Sequence, residues 1–228
     1  MGFSIIIPSK NATNLIPCVQ SILTQDTNIK PEQIIVVDDG AKWGSEHILS
    51  DKIRWIEGQK PFIFSRNINL GIDAAGTDDV LLCNDDIILK TQNGFTNLAR
   101  AGQNYGVTSA VTNSVGNLNQ TPKYGGSSIR FDNRVLAFVC VYIPRSIIEA
   151  VGKLDERFGV CYGGEDNSYC RKVLLAGYKL CIYNDCFVDH LTLTSTFRGK
   201  GKSLPIGDAN RVFKEIWGVD MTDIPKVP

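Results

Sequence analysis

Acidic side chains stand at places in this chain where they could hold a metal ion. Asn84-Asp85-Asp86 follows directly on a short apolar run, residues 80–83. An apolar run that ends in carboxylates predicts a buried strand whose acids reach the carboxyl edge of a sheet, where open α/β folds bind ligands. Carboxylate oxygens suit Mg²⁺ or Mn²⁺, ions that usually enter enzymes alongside substrate phosphates. Taken alone, the triplet favours an Asp-rich turn, since Asn and Asp are common turn residues.

Three further polar sites occur along the chain, in an order that suggests one ligand pocket. Asp38-Asp39 follows the second apolar run, Glu165-Asp166 starts a predicted helix after two glycines, and His190 follows the last extended segment. In a parallel sheet the ends of strands two and four fall on the same edge, so the first two sites can face one ligand. A carboxylate at a helix start can accept a hydroxyl proton, or it can simply cap the helix. A lone histidine is more often structural.

The elements that must position these residues alternate in the first half of the chain. Predicted strands cover 3–7, 33–37, 53–56 and 80–83, and predicted helices cover 14–23 and 65–75. This alternation indicates an α/β fold with a parallel sheet flanked by helices.

The pattern changes after the triplet. Strands are predicted over 107–111, 135–143, 179–183 and 186–189, and helices over 95–101, 146–151 and 166–176. Residues 112–128 are rich in Gly, Asn and Ser and predict a long surface loop. Residues 192–204 are polar and basic, with Arg198, Lys200 and Lys202 alternating with glycines, which suits a mobile loop that closes over phosphates or contacts another polyanion.

Composition narrows the class of protein. With 228 residues, 43% of them hydrophobic, the chain can form one large domain with a proper core. Lys plus Arg and Asp plus Glu both number 24, so the global charge recruits neither a polyanion nor an anionic membrane. A leader and a membrane-spanning run are not evident, and we expect a cytoplasmic protein. The seven cysteines lie mostly in apolar stretches and lack a C-x₂-C pair, which favours reduced core thiols over disulfides or zinc.

Six short segments, in order, resemble the inverting glycosyltransferases of the GT-A fold, in particular family 2, which use nucleotide-diphospho-sugars. They are Ile5-Ile6-Ile7-Pro8-Ser9-Lys10-Asn11, Val36-Val37-Asp38-Asp39-Gly40, Arg66-Asn67-x-Asn69-x-Gly71, the Asn84-Asp85-Asp86 triplet at the place of the family's DxD motif, Leu154-Asp155-Glu156-Arg157-Phe158 and Tyr162-Gly163-Gly164-Glu165-Asp166. The resemblance implies a single GT-A domain. It comprises a Rossmann-like nucleotide-sugar-binding half with a mostly parallel central sheet (1–90), an acceptor-binding and catalytic half (91–190), and a flexible loop and tail (191–228).

The same resemblance implies a role for five residues on the nucleotide side. Pro8 and Lys10 would lie beside the base, and Asp39 would hydrogen-bond a uracil-type base. Arg66 would place a cation near the nucleotide, and Asp85 would lie near the ribose. The alternative for Asp39 is an Asx-turn before Gly40, and for Arg66 a surface salt bridge.

On the reaction side, the resemblance implies a metal ion and a base. Asp86 would grip Mn²⁺ or Mg²⁺ and His190 would complete the coordination, while Asn84 departs from the first acidic position of the motif. Asp166 would be the general base, and Glu165 would bind the acceptor or support the base.

The resemblance therefore implies a metal-dependent inverting hexosyltransferase that uses a UDP-sugar or similar donor. A sugar-nucleotide nucleotidyltransferase is the first alternative, but it normally needs a Gly-rich loop after strand one, and residues 8–13 contain no glycine. A non-catalytic carbohydrate-binding relic is the second, and it would be expected to have lost its carboxylates. A glycan, a lipid-linked sugar, a protein and a nucleobase all stay open as acceptors, as does the oligomeric state.

Overall fold

The computed structural model describes residues 2–159, 163–191 and 206–223. Within these ranges strands and helices alternate along the first half of the chain, as predicted. The elements are β1 Phe3–Ser9, α1 Ala12–Gln25, β2 Ile34–Asp38, β3 Arg54–Glu57, α2 Phe64–Ala74, β4 Asp79–Cys83, β5 Ile87–Leu89, α3 Gly94–Tyr105, β6 Val107–Thr112, β7 Ile129–Asp132, β8 Cys140–Ile143, α4 Arg145–Val151, α5 Glu165–Leu175, β9 Leu180–His190 and α6 Ile206–Trp217.

All nine of these strands join one sheet that runs through both halves of the chain. Its order is β3-β2-β1-β4-β8-β6-β9-β5, and β7 pairs with β9. Strands β1, β2, β3, β4, β6 and β9 run in one direction, and only β5, β7 and β8 oppose them. The α/β fold with a mostly parallel central sheet, expected from the sequence, is therefore confirmed.

Helices cover both faces of the sheet, which explains the continuous apolar runs of its central strands. Every residue of β1 is buried, as expected of a strand covered on both sides. One hydrophobic cluster joins the sheet to α1 and α3, and a second joins it to α2, α4 and α5. The six cysteines of the described ranges are buried free thiols, which confirms the burial expected of them.

The single strand predicted over 135–143 is wrong in its first half, because β8 covers only Cys140–Ile143. Side chains occupy the backbone groups that a longer strand would use. Asn117 Nδ2 donates to the Val135 carbonyl, and the Gln120 amide bonds both the carbonyl and the N–H of Ala137. Residues 135–139 therefore lie outside the sheet, and side chains of the 113–128 loop bond their backbone.

The structure differs from the sequence prediction in several other elements. The strands predicted over 179–183 and 186–189 are one strand, β9, whose register against β6 shifts between Ala110 and Val111. Strands β5 and β7 and helix α6 were not predicted. The loop predicted over 112–128 is present, except that Thr112 ends β6 and Leu118–Gln120 forms a 3₁₀ turn. The basic segment 192–204 lies outside the described residues.

No helix in the described ranges combines the length and apolar character needed to span a bilayer.

Candidate active site

The candidate site lies at the carboxyl edge shared by the parallel strands. Ser9 ends β1, Asp39 follows β2, the Asn84-Asp85-Asp86 triplet follows β4, and His190 ends β9. Because these strands run in the same direction, the polar residues at their ends converge on one side of the sheet. The shared edge expected from the spacing of the strands is therefore present.

Asp85 is a buried carboxylate held by strand β1. Its side chain is 8% exposed, and its Oδ2 accepts a hydrogen bond from Ser9 Oγ at 2.6 Å. Burial raises the pKa of Asp85 from 3.8 to about 6. The hydrogen bonds from Ser9 and Asn14 oppose this rise and the charge of Asp86 adds to it. Asp85 is therefore a carboxylate that gains or loses its proton in a mildly acidic range.

Asp86 and His190 lie side by side, as the resemblance implied. Asp86 Oδ1 is 3.2 Å from His190 Nε2, and both side chains are largely buried. The pairing of Ile87 with His190 in the β5–β9 ladder and the hydrogen bond from Leu191 N–H to the Asp86 carbonyl bring them together.

The tautomer of His190 follows from its other nitrogen. Nδ1 lies 2.6 Å from the Ser114 carbonyl, and a carbonyl oxygen can only accept, so Nδ1 carries a proton. In the neutral ring, Nε2 then presents its lone pair beside the Asp86 carboxylate. A carboxylate oxygen next to an imidazole nitrogen is a donor set that suits Mn²⁺ and other divalent ions. Within residues 2–159, 163–191 and 206–223, no group of three or more His, Cys, Asp or Glu forms a fuller metal site.

Asp38 and Asp39 have different surroundings, and only one of them forms the turn that was the alternative to ligand binding. Asp38 Oδ1 accepts the backbone N–H groups of Gly40 and Lys42, each at 2.9 Å, so Asp38 makes the turn. Asp39 Oδ1 is buried and accepts no hydrogen bond from the described residues. Burial raises the pKa of Asp39, against the opposing charges of Lys60 and Lys10. Asp39 Oδ1 is therefore an acceptor without a donor among the described residues, and the charges of Lys60, Lys10 and Arg66 act on it.

Two basic residues and an aromatic ring lie near Asp39. The Arg66 guanidinium donates to the carbonyls of Gln59 and Pro61 rather than to a surface carboxylate, and its charge lowers the pKa of Asp39. The Lys10 ammonium lies 5.9 Å from the centre of the Phe62 ring. Phe62 was not found from the sequence, although an aromatic residue in the loop just before Arg66 was a usable signal. Pro8 is buried within β1, and its contact with a base stays a prediction.

The Glu165-Asp166 pair starts helix α5 directly after two glycines with positive φ, Gly163 at 81° and Gly164 at 99°. Burial raises the pKa of Asp166, while the backbone N–H groups of Asn167, Gly164 and Phe138 stabilise its carboxylate; the Asn167 bond is 2.8 Å. Burial and then the charge of Asp166 raise the pKa of Glu165.

Glu165 also keeps an unused acceptor. Its Oε2 is buried and has no hydrogen-bond partner among the described residues. A buried polar atom in this state costs free energy unless another molecule supplies a donor.

A two-residue backbone segment links the triplet to the carboxylate pair. The Asn84 N–H donates to the Val139 carbonyl at 3.0 Å, and the neighbouring Phe138 N–H stabilises the Asp166 carboxylate. The triplet therefore bonds the short stretch just before β8, and the same stretch acts to lower the pKa of Asp166, which lies 82 positions after Asn84 in sequence.

Comparison with known proteins places this arrangement in a family. The profile of "Glycosyl transferase family 2" matches residues 4–153, about two thirds of the chain. The chain belongs to that family. Glu165, Asp166 and His190 lie beyond the matched range. No curated protein matches the sequence.

Solved structures show that the fold is that of the GT-A glycosyltransferases. GalNAc-T7, solved with UDP, GalNAc and Mn²⁺, aligns with a TM-score of 0.74 at 13% identity, over 98% of this chain and 49% of that one. The mannosyltransferase PcManGT of Pyrobaculum calidifontis, solved with GDP-Man and Mn²⁺, aligns at 0.63 and 16% identity, over 87% and 58%. S. aureus TarS 1–349 aligns at 0.59 and 15% identity, over 94% and 70%. The chain thus spans between 49% and 70% of the length of these structures.

Proposed function

We propose that the protein is a metal-dependent inverting glycosyltransferase that moves a hexose from a UDP-sugar to an acceptor hydroxyl. The observation that carries the proposal is the convergence of three polar sites at one sheet edge. These are the Asp39 oxygen that lacks a donor among the described residues, the Ser9–Asp85 pair and the Asp86–His190 pair. The Glu165-Asp166 pair starts helix α5.

Asp39 and Asp85 bind the nucleoside part of the donor. A buried carboxylate oxygen without a donor is the complement of a ring N–H, and uracil carries such a group in its imide. Lys10, Lys60 and Arg66 surround this acceptor and add positive charge where the diphosphate enters. Asp85, on the far side of β1 from Asp39, accepts from the ribose hydroxyls. Similar structures hold UDP in one case and GDP-mannose in another, and we choose UDP because one Asp39 oxygen, Oδ1, is buried without a donor among the described residues.

Asp86 and His190 hold the divalent ion, for which Mn²⁺ in two similar structures is a precedent. The bound ion supplies charge stabilisation to the departing nucleoside diphosphate. In the protein itself, the bond from Nδ1–H to the Ser114 carbonyl keeps the proton on Nδ1 and orients the ring with Nε2 beside Asp86.

Asp166 takes the proton of the acceptor hydroxyl while that oxygen attacks the anomeric carbon. The Asn167 N–H donates to Asp166 Oδ1 at 2.8 Å and orients the carboxylate, which is what a positioned base needs. Glu165 binds the acceptor through its free Oε2. Direct displacement by the hydroxyl inverts the anomeric centre, since no covalent nucleophile intervenes.

The two alternatives have less support. A sugar-nucleotide nucleotidyltransferase is disfavoured because the chain belongs to a glycosyltransferase family. A non-catalytic relic is disfavoured because its unpartnered buried carboxylate oxygens would cost stability without binding anything.

The test is an assay of donor turnover and nucleotide binding. The purified protein is incubated with Mn²⁺ and a panel of UDP-sugars and GDP-mannose, with and without sugar acceptors, and UDP binding is measured by calorimetry. We expect hydrolysis or transfer with a UDP-sugar, and NMR should show a product of inverted anomeric configuration. The absence of turnover with every donor, together with the absence of nucleotide binding, would refute the proposal.

The roles of the two acids are tested with isosteric variants. Asp166→Asn should lower kcat by about 10²–10⁴-fold and leave UDP affinity unchanged, because the base acts only on the acceptor. Glu165→Gln should mainly raise the KM for the acceptor. If Glu165→Gln abolishes turnover and Asp166→Asn does not, the two roles are reversed.

A further inference from the structure

The C-terminal helix α6 packs beside the start of α5, where Glu165 and Asp166 lie. Its apolar face forms a hydrophobic cluster separate from the two clusters that flank the sheet. The cluster consists of Phe158, Ala209, Val212 and Phe213, with Ile216, Trp217, Val219 and Met221 packed against it. Phe158 is the one buried member outside α6, and it precedes the carboxylate pair by seven residues.

Phe158 and α6 together enclose the backbone of Gly164, the residue before Glu165. A Cβ at Gly164 would lie 2.5 Å from Phe158 Cε1 and 3.4 Å from the Ala209 Cβ. The φ of Gly164 is 99°, a conformation that L side chains rarely adopt. The backbone that leads into the carboxylate pair is therefore set by a ring and by a residue of α6.

Trp217, the last residue of α6, contacts α5 itself in two ways. Its indole Nε1–H donates to Ser168 Oγ at 3.0 Å, and Ser168 is fully buried in the first turn of α5. The Arg171 guanidinium lies 5.1 Å from the centre of the indole ring. A directional hydrogen bond and a stacked cation together fix the rotation of α5 about its axis.

We propose that α6 positions the catalytic acids and that Trp217 is a positioning residue, acting on Glu165 and Asp166 through Ser168. This inference rests on the proposed function, because it takes these acids as the groups that contact the acceptor. Misplacing a reacting group by about 1 Å can cost up to about 100-fold in rate. Loss of the Trp217 contact should therefore slow the transfer step more than it weakens donor binding, which occurs on β1, β2 and β4.

The experiment compares Trp217→Phe and Ser168→Ala, which each remove one partner of the hydrogen bond. Both variants keep the apolar packing, and Trp217→Phe keeps a ring beside Arg171. We expect kcat to fall about tenfold in each and no further in the double variant, with the KM for the donor within about twofold of wild type. Arg211→Ala is the control, because Arg211 pairs with Glu215 on the exposed side of the same helix, and it should leave kcat unchanged.

Amide hydrogen exchange gives a second measurement that needs no substrate. In Trp217→Phe and Ser168→Ala, exchange of residues 163–168 should be several-fold faster than in wild type and Arg211→Ala, while β1 and β4 keep their protection. If kcat and this exchange both stay at wild-type values, or if kcat and donor binding fall together, the positioning role is refuted. If the wild type lacks transferase activity but the local change in exchange occurs, the proposed function fails and the positioning of α5 by α6 stands.

Discussion

At the scale of single residues, the bond between Ser9 and Asp85 should make ligand binding at the candidate site depend on pH. Asp85 has a pKa of about 6 in the folded protein, above its ordinary 3.8, so it is partly protonated in mildly acidic solution. In the proposed role, ionised Asp85 would accept from a ribose hydroxyl, and UDP affinity should then fall as the pH drops through about 6. Ser9→Ala removes a donor that favours the charged form of Asp85, which raises the pKa of Asp85 further. The fall in UDP affinity should then begin at a higher pH. The measurement is calorimetric UDP binding from pH 5 to 8.

The same substitution has a signature in stability. Because the folded-state pKa of Asp85 is raised, its contribution to stability is present at low pH and is lost as pH rises through about 6. The Ser9 hydroxyl donates to Asp85 and favours its ionised form, which prevails above about pH 6. Ser9→Ala should therefore lower the free energy of unfolding more at pH 8 than at pH 5, as measured by urea unfolding. Ser4→Ala is the matched control, because Ser4 makes a similar bond to Asp78 at the other end of β1. If Ser9→Ala lowers the free energy of unfolding equally at both pH values, the Ser9 bond does not depend on the ionisation of Asp85.

Asp39 should carry much of the nucleotide affinity. Asn keeps an amide oxygen that can accept, so Asp39→Asn removes the charge but not the acceptor. Hydrogen bonds to charged groups contribute about 1.5–3 kcal/mol and neutral ones about 0.5–1.5 kcal/mol, so the substitution should weaken UDP binding by roughly 5- to 12-fold. Calorimetry with UDP measures the change. Asp51→Asn alters an exposed carboxylate between β2 and β3 and should bind like wild type. Wild-type affinity in Asp39→Asn would show that the free oxygen of Asp39 does not face the base.

Sequence reasoning found most of these residues but could not assign their contacts. The order of the motifs was enough to pair Asp86 with His190. It could not tell which of Asp38 and Asp39 makes the turn, because that depends on which carboxylate meets the N–H groups of Gly40 and Lys42. Phe62 was missed because its contact with Lys10 is made between two loops.

At the scale of elements, helix α2 shows why the segment Arg66-Asn67-x-Asn69-x-Gly71 has its pattern. The Asn67 amide oxygen accepts from Gln59 N–H, and the Asn69 amide bonds the backbone of Leu154 and the carboxylate of Glu156. Gly71 faces strand β1 closely. This segment therefore connects the nucleotide side to the turn that precedes the carboxylate pair.

Gly71→Ala should be strongly destabilising, since its Cβ would lie 2.3 Å from Ile6 Cγ2. Overpacking of this kind typically costs about 1–3 kcal/mol. The double variant Gly71→Ala/Ile6→Ala should lose less stability than the sum of the two single variants. Chemical unfolding checks this, with Gly126→Ala as control because a Cβ there meets nothing within 4 Å. Strict additivity would show that α2 can move away from β1 at little cost.

The elements that the sequence predicted well are those with long, uniform patterns. Strands β1, β2 and β4 are continuous apolar runs because both of their faces are covered. Strand β5 has only three residues, and the 135–139 segment looks apolar but is bonded by side chains of a distant loop. Neither feature has a local signal that distinguishes it.

For the whole molecule, metal and nucleotide should stabilise the fold together. A ligand at about 100 times its Kd adds roughly 2.7 kcal/mol, which for a chain of this size raises the Tm by about 5–10 °C. We expect UDP with Mn²⁺ to give such a shift, and removal of Mn²⁺ by a chelator to reverse most of it. In Asp86→Asn the rise in Tm caused by Mn²⁺ should disappear. Asp185 is an exposed carboxylate on β9, and the Asp185→Asn variant should keep the Mn²⁺ effect. An unchanged Mn²⁺ effect in Asp86→Asn would remove Asp86 from the metal site.

The position of β4 in the sheet has a consequence for synthesis of the chain. One side of β4 pairs with β1, but its other neighbour is β8, which begins 57 residues after β4 ends. Until residue 143 has left the ribosome, the strand that leads into the Asn84-Asp85-Asp86 triplet has an unpaired apolar edge, which invites association with other chains. A fragment that ends at residue 90 should therefore aggregate, whereas one that includes β8 should be more soluble. The first half of the chain is complete in sequence long before its part of the sheet is complete.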